Sequence, residues 1–475
     1  MTEFYHNDSK EIDRLAVREK MQRPHYIFYD TETSGLNKMF GQIFQFAGIL
    51  TDENFQILDQ FEIRSRRMPH IVPDPGAMLV TGVTPDQLED APDSYYSFAS
   101  KIREKLLEWS PAIFCGYNIY SFDEHFMRSM YYQNLYPPYL SQTNGNKRLD
   151  VLPLVRAAEQ LSRGSLNFPI NERGKTSKKL EDVALANGFS NHNAHDAMGD
   201  VLATIHVAEL VRARVPLLWG SALDACSRAD FNRSIEGENW FVVHDHNNGW
   251  PVTFPAVEIS KTDYGRNSLL YDLRYPVEQA EGNPLEDNFK GRHRPFRLAK
   301  SAETPLVFQR DDLDRLDMID DLNLERLDGL ALEVKQNASI YNIASLRDEM
   351  REEFEKSPHI EAQIYDDFDA FDRDRYLMED FHLASASEKK VLARQFSDYR
   401  FRSFAKRIIF ENFPDQMATD EITEFQLKIS ERIAEEEDVP WTTKPKAIDQ
   451  CDRLLESRED VKLELTSIKD YLENL

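Results

Sequence analysis

Residues 25–33 of this 475-residue chain read HYIFYDTET, and this segment decides the fold around it. Its aromatic and β-branched beginning favours a strand. Asp30 and Glu32 follow two residues apart, which places both carboxylates on one face of that strand. Neighbouring carboxylates repel each other unless a cation or a proton lies between them. The segment therefore predicts a strand that ends at a metal site, and the alternative is an ordinary exposed acidic strand end.

The residues that follow predict a sheet with helices packed against it. Further strands separated by a polar turn complete a meander, and helical spacing then alternates with a short apolar run. Ser121 and Glu124 form a predicted capping box for one helix. The order βββαβααα is typical of a mixed sheet flanked by helices. The predicted strands are 25–29, 43–50, 55–63 and 112–117, and the predicted helices are 95–109, 122–133, 179–186 and 197–214.

The remaining chain has two further patterns. Pro216 ends the last of these helices, and residues 239–275 contain short strand-like runs separated by Gly, Pro and Asn. From about residue 349 the sequence is helical to its end, and a periodic apolar stripe there predicts a buried face rather than a partner-binding zipper. A chain of this length is expected to form two to four domains. The stripe consists of Leu454, Val461, Leu465, Ile468, Leu472 and Leu475.

Two further motifs are weak when each is taken alone. Asp123 lies near the start of a predicted helix, where an acid ordinarily complements the positive helix N-terminus. His195 precedes the helix that contains Asp200, in the run HDAMGD, and a lone histidine there is more often a surface or capping residue. Both motifs follow the pair of acids on the first strand in the sequence. This order favours a functional role for them over the structural one.

In that order the motifs resemble those of DEDD-superfamily exonucleases of the histidine subtype. The matching features are DxE at 30–32, Asn118 with Asp123, and HxAxxD at 195–200. The run LVTGVTP at 79–85 also resembles the segment that precedes the first helix in that superfamily.

The resemblance extends beyond these motifs to bacterial exodeoxyribonuclease I. It is carried, in the same order, by FCGYNIYSFDEHFMRSMYYQNLYPPY, SNHNAHDAMGDVLATI, EAQIYDDF and ENFP. It implies an α/β ribonuclease-H-like exonuclease domain at 1–215 with a polar extension at 1–24, an SH3-like β-barrel domain at 216–350 and an all-helical C-terminal domain at 351–475. The extension is longer than the family pattern, and the β-rich region matches poorly outside YDLRYP.

The resemblance also implies an activity: metal-dependent, processive hydrolysis of single-stranded DNA from its 3′ end, releasing nucleoside 5′-monophosphates, in DNA repair and recombination. Asp30, Glu32 and Asp200 are expected to hold one magnesium ion, with Asp30 also touching a second and Asp123 supporting the second through water; manganese can substitute. His195 is expected to take the proton from the attacking water, since a pKa of about 6.5 suits that role. Substrate contacts are expected from Thr31, Thr33, Asn118, Phe122 and Lys179.

The formal net charge of −26 disfavours long-range attraction of DNA, so its contacts must be local. Basic stretches at 64–67, 290–300 and 400–407 are candidates, and a solvated surface is the alternative for each. Enzymes of this family associate with the acidic, Phe-ending tail of single-stranded DNA-binding protein, and Arg310 is the predicted contact for that tail. A monomer is expected.

Composition excludes several other classes. No run approaches the ~18 apolar residues of a membrane span, and the polar N-terminus has no signal-peptide pattern, which predicts a cytoplasmic protein. Cys115, Cys226 and Cys451 are odd in number and far apart, so neither a disulfide framework nor a zinc site is expected. Two alternatives stay open: a proofreading-type or oligoribonuclease-like 3′–5′ exonuclease, and a catalytically inactive nucleic-acid-binding scaffold.

Overall fold

The computed structural model describes most of the chain. The described residues are 24–190, 196–247, 250–262, 267–291, 293–300, 303, 305–316, 323–347, 356–367 and 369–475. Of the polar extension predicted at 1–24, only Pro24 belongs to them.

A mixed five-stranded sheet forms the first part of the chain, with strand order β3-β2-β1-β4-β5. Strands β1, β2 and β3 form the predicted antiparallel meander, and β4 and β5 continue the sheet in parallel. The strands are β1 Tyr26–Thr33, β2 Ile43–Thr51, β3 Ile57–Arg64, β4 Ile113–Gly116 and β5 Lys147–Asp150. The meander and the mixed sheet are thus confirmed, while β5 is a strand that the sequence pattern did not predict.

Helices cover both faces of this sheet because β1 is apolar on both sides. Tyr26 and Phe28 face one core cluster, and Ile27 and Tyr29 face another. These helices are α1 Pro75–Thr81, α2 Pro85–Asp90, α3 Tyr95–Trp109, α4 Asp123–Gln133, α5 Val151–Leu161, α6 Leu180–Ala186 and α7 Ala197–Arg214.

The predicted capping box of α4 is wrong. The cap residue is Phe122, with no side-chain cap hydrogen bond. Glu124 is instead buried, where it accepts hydrogen bonds from Arg148 at 3.0 Å, Arg128 at 3.1 Å and the Tyr29 hydroxyl at 2.9 Å. Two guanidinium partners stabilise a buried carboxylate more than one backbone N–H at a helix end would.

The middle of the chain forms a five-stranded antiparallel sheet with strand order β10-β6-β7-β8-β9, in the region predicted to be β-rich. Part of its core is continuous with that of the first sheet, since Val242 and Val257 belong to the same buried cluster as Tyr26 and Phe28. The elements are α8 Pro216–Leu223, α9 Arg228–Ile235, β6 Phe241–Asn247, β7 Trp250–Thr262, β8 Asn267–Asp272, α10 Val277–Gly282, α11 Leu285–Phe289, β9 Phe296–Ala299, β10 Leu306–Phe308, α12 Leu324–Gln336 and α13 Ala338–Ser345.

The C-terminal part is helical, as predicted. Leu465, Ile468 and Leu472 are buried in the same cluster as Phe98 and Ile102 of α3, so the apolar stripe is a core face. Among the described helices, none is both long enough and apolar enough to cross a bilayer. The three cysteines are buried and unpaired. The helices are α14 Asp369–Leu383, α15 Ala386–Leu392, α16 Tyr399–Asn412, α17 Thr419–Ala434, α18 Lys444–Ser457 and α19 Lys462–Glu473.

Candidate active site

Three carboxylates from two elements meet at the end of β1. Asp30 and Glu32 continue the face of β1 on which Tyr26 and Phe28 pack, and α7 covers that face. Asp200 is the fourth residue of α7 and lies over the same end of the strand. Carboxylate oxygens of Asp30, Glu32 and Asp200 lie within 4.8 Å of one another. Asp30 and Glu32 therefore lie on one face of the strand, as the DxE pattern predicted.

A fourth carboxylate, Asp123, reaches the site from the opposite face of the sheet. It is the first residue of α4 and is almost fully buried. Its Oδ1 accepts hydrogen bonds from the Thr31 hydroxyl at 2.6 Å and the Thr31 N–H at 3.1 Å. Thr31, between the two acids of β1, thereby ties α4 to the strand and fixes where Asp123 lies.

The electrostatics of this cluster favour either protons or cations. Burial and then the neighbouring carboxylates raise the pKa of Asp30 well above its ordinary value and that of Glu32 to about 8, with Arg64 opposing part of the second shift. Burial raises the pKa of Asp123 to about 7, against the hydrogen bonds from Thr31 that lower it. Carboxylates held together in a low-dielectric site cannot all be charged unless something positive compensates them.

The donor set fits a hard divalent cation. All the candidate ligand atoms are carboxylate oxygens, which Mg²⁺ and Mn²⁺ prefer. No histidine or cysteine joins the cluster among the described residues, so a zinc-type ligand set is not formed there. The cluster can therefore hold a metal ion of the class that the sequence predicted.

The raised pKa values predict how the stability of the metal-free protein depends on pH. Unfolding restores ordinary values of about 4, so the folded state keeps protons that the unfolded chain releases, and their stabilising contribution is lost as pH rises towards 8. The melting temperature in chelator should fall from pH 6.5 to 8.5, and magnesium should raise it more at pH 8.5 than at pH 6.5. Scanning fluorimetry measures both effects. Glu32→Gln should flatten the metal-free profile, whereas an unchanged or rising wild-type profile would contradict the assignment.

Asp196 is a site residue to which the sequence analysis gave no role. It precedes α7, and its side chain makes no helix cap but accepts a hydrogen bond from Gln45 at 3.0 Å. Its Oδ1 also lies 3.5 Å from an Arg64 nitrogen. Asp196 is close enough to raise the pKa of both Asp30 and Glu32. The signal was available, since Asp196 is the acid that directly follows the histidine in HDAMGD.

Asp150, another unpredicted residue, holds the loop that leads into α4. Its buried carboxylate accepts the N–H groups of Asn118 at 2.7 Å, Leu152 at 3.0 Å and Tyr120 at 3.1 Å. Asn118 has a positive φ of 68°, a left-handed conformation that Asn adopts more readily than most residues with a side chain. Asn118, Tyr120 and Asp150 line a cavity of about 330 Å³ that His244 of the second sheet and Lys300 also line. The predicted substrate contact Asn118 thus lies between the two sheets.

Three other residues were predicted to contact the substrate: Thr33, Phe122 and Lys179. The buried hydroxyl of Thr33 donates to the Gly35 carbonyl at 2.9 Å, and the ring of Phe122 lies 5.0 Å from that of Phe126. Lys179 is exposed before α6, 3.3 Å from Glu181. His195, the predicted base, lies outside the described residues.

The basic stretches are mostly occupied by internal contacts. Arg297 pairs with buried Asp272 at 2.7 Å, and Arg400 pairs with Asp398 at 2.7 Å. Arg407 donates to the backbone of Gln133 at 2.6 Å. These three arginines hold the fold together, so a run of positive charge in this sequence does not by itself mark a DNA surface.

Comparison with protein families gives two matches. A family model described as Exonuclease matches residues 27–208, and one described as Exonuclease I C-terminal domain matches residues 358–475. The first covers the sheet and the four carboxylates. The second covers the C-terminal helices.

Individual relatives agree with these matches. The exodeoxyribonuclease I of Buchnera aphidicola subsp. Schizaphis graminum is 27% identical over 424 residues, covering 86% of this chain and 87% of that protein. That of Buchnera aphidicola subsp. Acyrthosiphon pisum is 37% identical over 205 residues, which are 43% of this chain, and there the chain spans about half (49%) of the relative.

Solved structures show the same fold. Escherichia coli exonuclease I in complex with a dA16 oligonucleotide superposes with a TM-score of 0.81 at 24% identity, covering 95% of this chain and 99% of that one. A structure described as SSB/Exonuclease I in complex with the inhibitor CFAM gives a TM-score of 0.78 at 23% identity, covering 95% and 99%.

Proposed function

Because this chain belongs to the exodeoxyribonuclease I family, we propose that it hydrolyses single-stranded DNA processively from the 3′ end and releases nucleoside 5′-monophosphates. The observation that carries the proposal is the cluster of Asp30, Glu32 and Asp200, whose oxygens lie within 4.8 Å of one another beside buried Asp123. We further propose that magnesium is the metal, and that residues 216 and 351 begin the second and third domains.

The chain's own residues have distinct roles in this proposal. Asp30, Glu32 and Asp200 would hold one cation, with Asp30 also touching a second and Asp123 supporting the second through water. When bound, such ions lower the pKa of water and stabilise charge on phosphate oxygens. His195 accepts the proton of the attacking water, the bond from phosphorus to the 3′ oxygen breaks, and the shortened strand keeps a 3′ hydroxyl. Thr31 and Asp150 keep Asp123 and the Asn118 loop in place.

Two features weigh against the alternatives. A proofreading-type enzyme or an oligoribonuclease needs only the nuclease part, whereas this chain also matches the Exonuclease I C-terminal domain over residues 358–475. A catalytically inactive scaffold has no need for four carboxylates gathered at one strand end, because their mutual repulsion destabilises the protein without a cation.

The proposal is tested with a single strand labelled at either end. With magnesium, the 3′-labelled strand should release labelled mononucleotide at once, and the 5′-labelled strand should shorten progressively even with excess unlabelled trap DNA. Chelator should stop both reactions. RNA of the same sequence and blunt duplex DNA serve as controls. Internal cleavage, or equally fast degradation of RNA, would contradict the proposed substrate.

A partner is proposed as well: the acidic tail of single-stranded DNA-binding protein, bound at Arg310 by a monomeric enzyme. The Arg310 guanidinium lies 2.9 Å from Asp328, which also accepts a hydrogen bond from the Trp240 indole at 2.8 Å. The tail must compete with Asp328. Arg310→Ala should therefore weaken binding of an acidic, Phe-ending peptide at least fivefold, and Asp328→Asn should strengthen it. Anisotropy titrations measure both, and equal affinities of the two variants would exclude this site.

A further inference from the structure

Arg64 lies in one row with the metal-site carboxylates, and this row extends the site across three strands. Glu32 on β1 is opposite Gln45 on β2, and Gln45 is opposite Arg64 on β3. Directly opposed residues project from the same face of a sheet. Arg64 therefore lies on the carboxylate face, two strand spacings or roughly 10 Å from the Glu32 backbone.

The ion pairs of Arg64 are loose compared with those of the structural arginines. Its Nη2 lies 3.5 Å from Asp196 and 3.9 Å from Glu62, and about one third of its side chain is exposed (31%). Arg297 and Arg400, by contrast, are held at 2.7 Å and are nearly buried. Within the described part of the chain, the Arg64 guanidinium makes no hydrogen bond of ordinary length. Its donors can therefore turn to a ligand.

Asp196 holds the Arg64 guanidinium near the site, but at 3.5 Å it compensates only part of its positive charge. The Asp196 carboxylate is held by Gln45, the middle member of the row, at 3.0 Å. It thus lies above the row with one oxygen facing both Gln45 and Arg64. A planar guanidinium suits phosphate because it can donate two parallel hydrogen bonds to one group.

We propose that Arg64 binds a non-bridging oxygen of the phosphate that is hydrolysed, and that it keeps this contact when the group has become the 5′-phosphate of the released nucleotide. This role rests on the proposed function, since it needs a phosphodiester held at the carboxylate cluster. An arginine there stabilises the charge that the phosphate gains as water attacks.

The test compares Arg64→Gln and Arg64→Lys with wild type in the full chain. The glutamine variant should lower kcat/KM about 10- to 100-fold, at or below the range typical of losing one transition-state donor. Lysine, which keeps the charge but not the planar fork, should restore part of the loss. Arg458→Gln is the matched control, because Arg458 is a half-exposed arginine paired with Asp460 on a surface turn. It should behave as wild type.

Inhibition and metal binding distinguish a phosphate contact from a structural role. Arg64→Gln should weaken inhibition by thymidine 5′-monophosphate at least fivefold, leave any inhibition by thymidine unchanged, and leave calorimetric magnesium affinity undiminished. The inference is overturned if kcat/KM and the monophosphate inhibition constant stay within twofold of wild type, or if melting temperature or magnesium affinity falls with the activity. Inactive wild-type protein would instead refute the proposed function itself.

Discussion

Asp200→Asn should abolish hydrolysis of single-stranded DNA while the protein stays folded. The change keeps the shape of the side chain but removes the negative charge that binds a cation. Asp30→Ala, on β1, should have the same effect. Because metal ions contribute several kcal/mol to such reactions, and each 1.36 kcal/mol is a factor of ten, the rate should fall at least ~1000-fold. Release of labelled mononucleotide measures the loss.

Folding and binding provide the controls for this prediction. Removing one member of a repelling cluster should leave the metal-free melting temperature equal to or above that of wild type. Strand binding in chelator should remain. Asp449→Asn changes an exposed acid paired with Arg453 on α18 and should retain full activity. Turnover by Asp200→Asn within tenfold of wild type would remove the carboxylate cluster from the mechanism.

His195→Ala should lower kcat by ~10²- to 10⁴-fold, the usual cost of losing a general base. Its pH profile should separate this role from a structural one: wild-type kcat should decline as pH falls through the histidine pKa near 6.5, and the variant should lack that decline. Stopped-flow product release from pH 5.5 to 8.5 measures the profile.

A histidine on α7, the helix that contains Asp200, is the control. His206 hydrogen-bonds the Asn187 carbonyl at 3.1 Å and packs 5.3 Å from the ring of Phe189. His206→Ala should lower the melting temperature but leave the pH profile unchanged. If His195→Ala kept wild-type turnover at pH 7, the histidine would be structural.

Elements with a strong local pattern were predictable from the sequence. Helices at 95–109 and 197–214 have the predicted bounds, because the 3.6-residue spacing of their apolar positions is a local property. The same holds for Asp30 and Glu32, whose shared face follows from the twofold repeat of a strand. These features also carried the resemblance to the exonuclease family, which the family matches support.

Elements that depend on distant partners were not predictable in this way. Strand β5 has the sequence KRLD, which is too short and charged to give a strand pattern. The charged Arg148 of this strand can be buried because it donates a hydrogen bond to the Glu124 carboxylate at 3.0 Å. The same contact takes Glu124 away from the predicted capping box. The strand β5 and the missing capping box both depend on a contact between residues 24 positions apart. The local spacing of polar and apolar residues could not predict such a contact.

By itself, the sequence determined which groups are the candidates for the chemistry, because the order of the acids and the histidine along the chain, together with strand and helix periodicity, indicates a metal site. Only the tertiary structure decided which charges face that site. All three basic runs look alike in the sequence, but Arg297 and Arg400 pair with acids of the fold, whereas Arg64, in a row with Glu32 and Gln45, faces the carboxylates. The physical reason is that the effect of a charge depends on its distance from other charges and its burial, and strand register and helix packing set both.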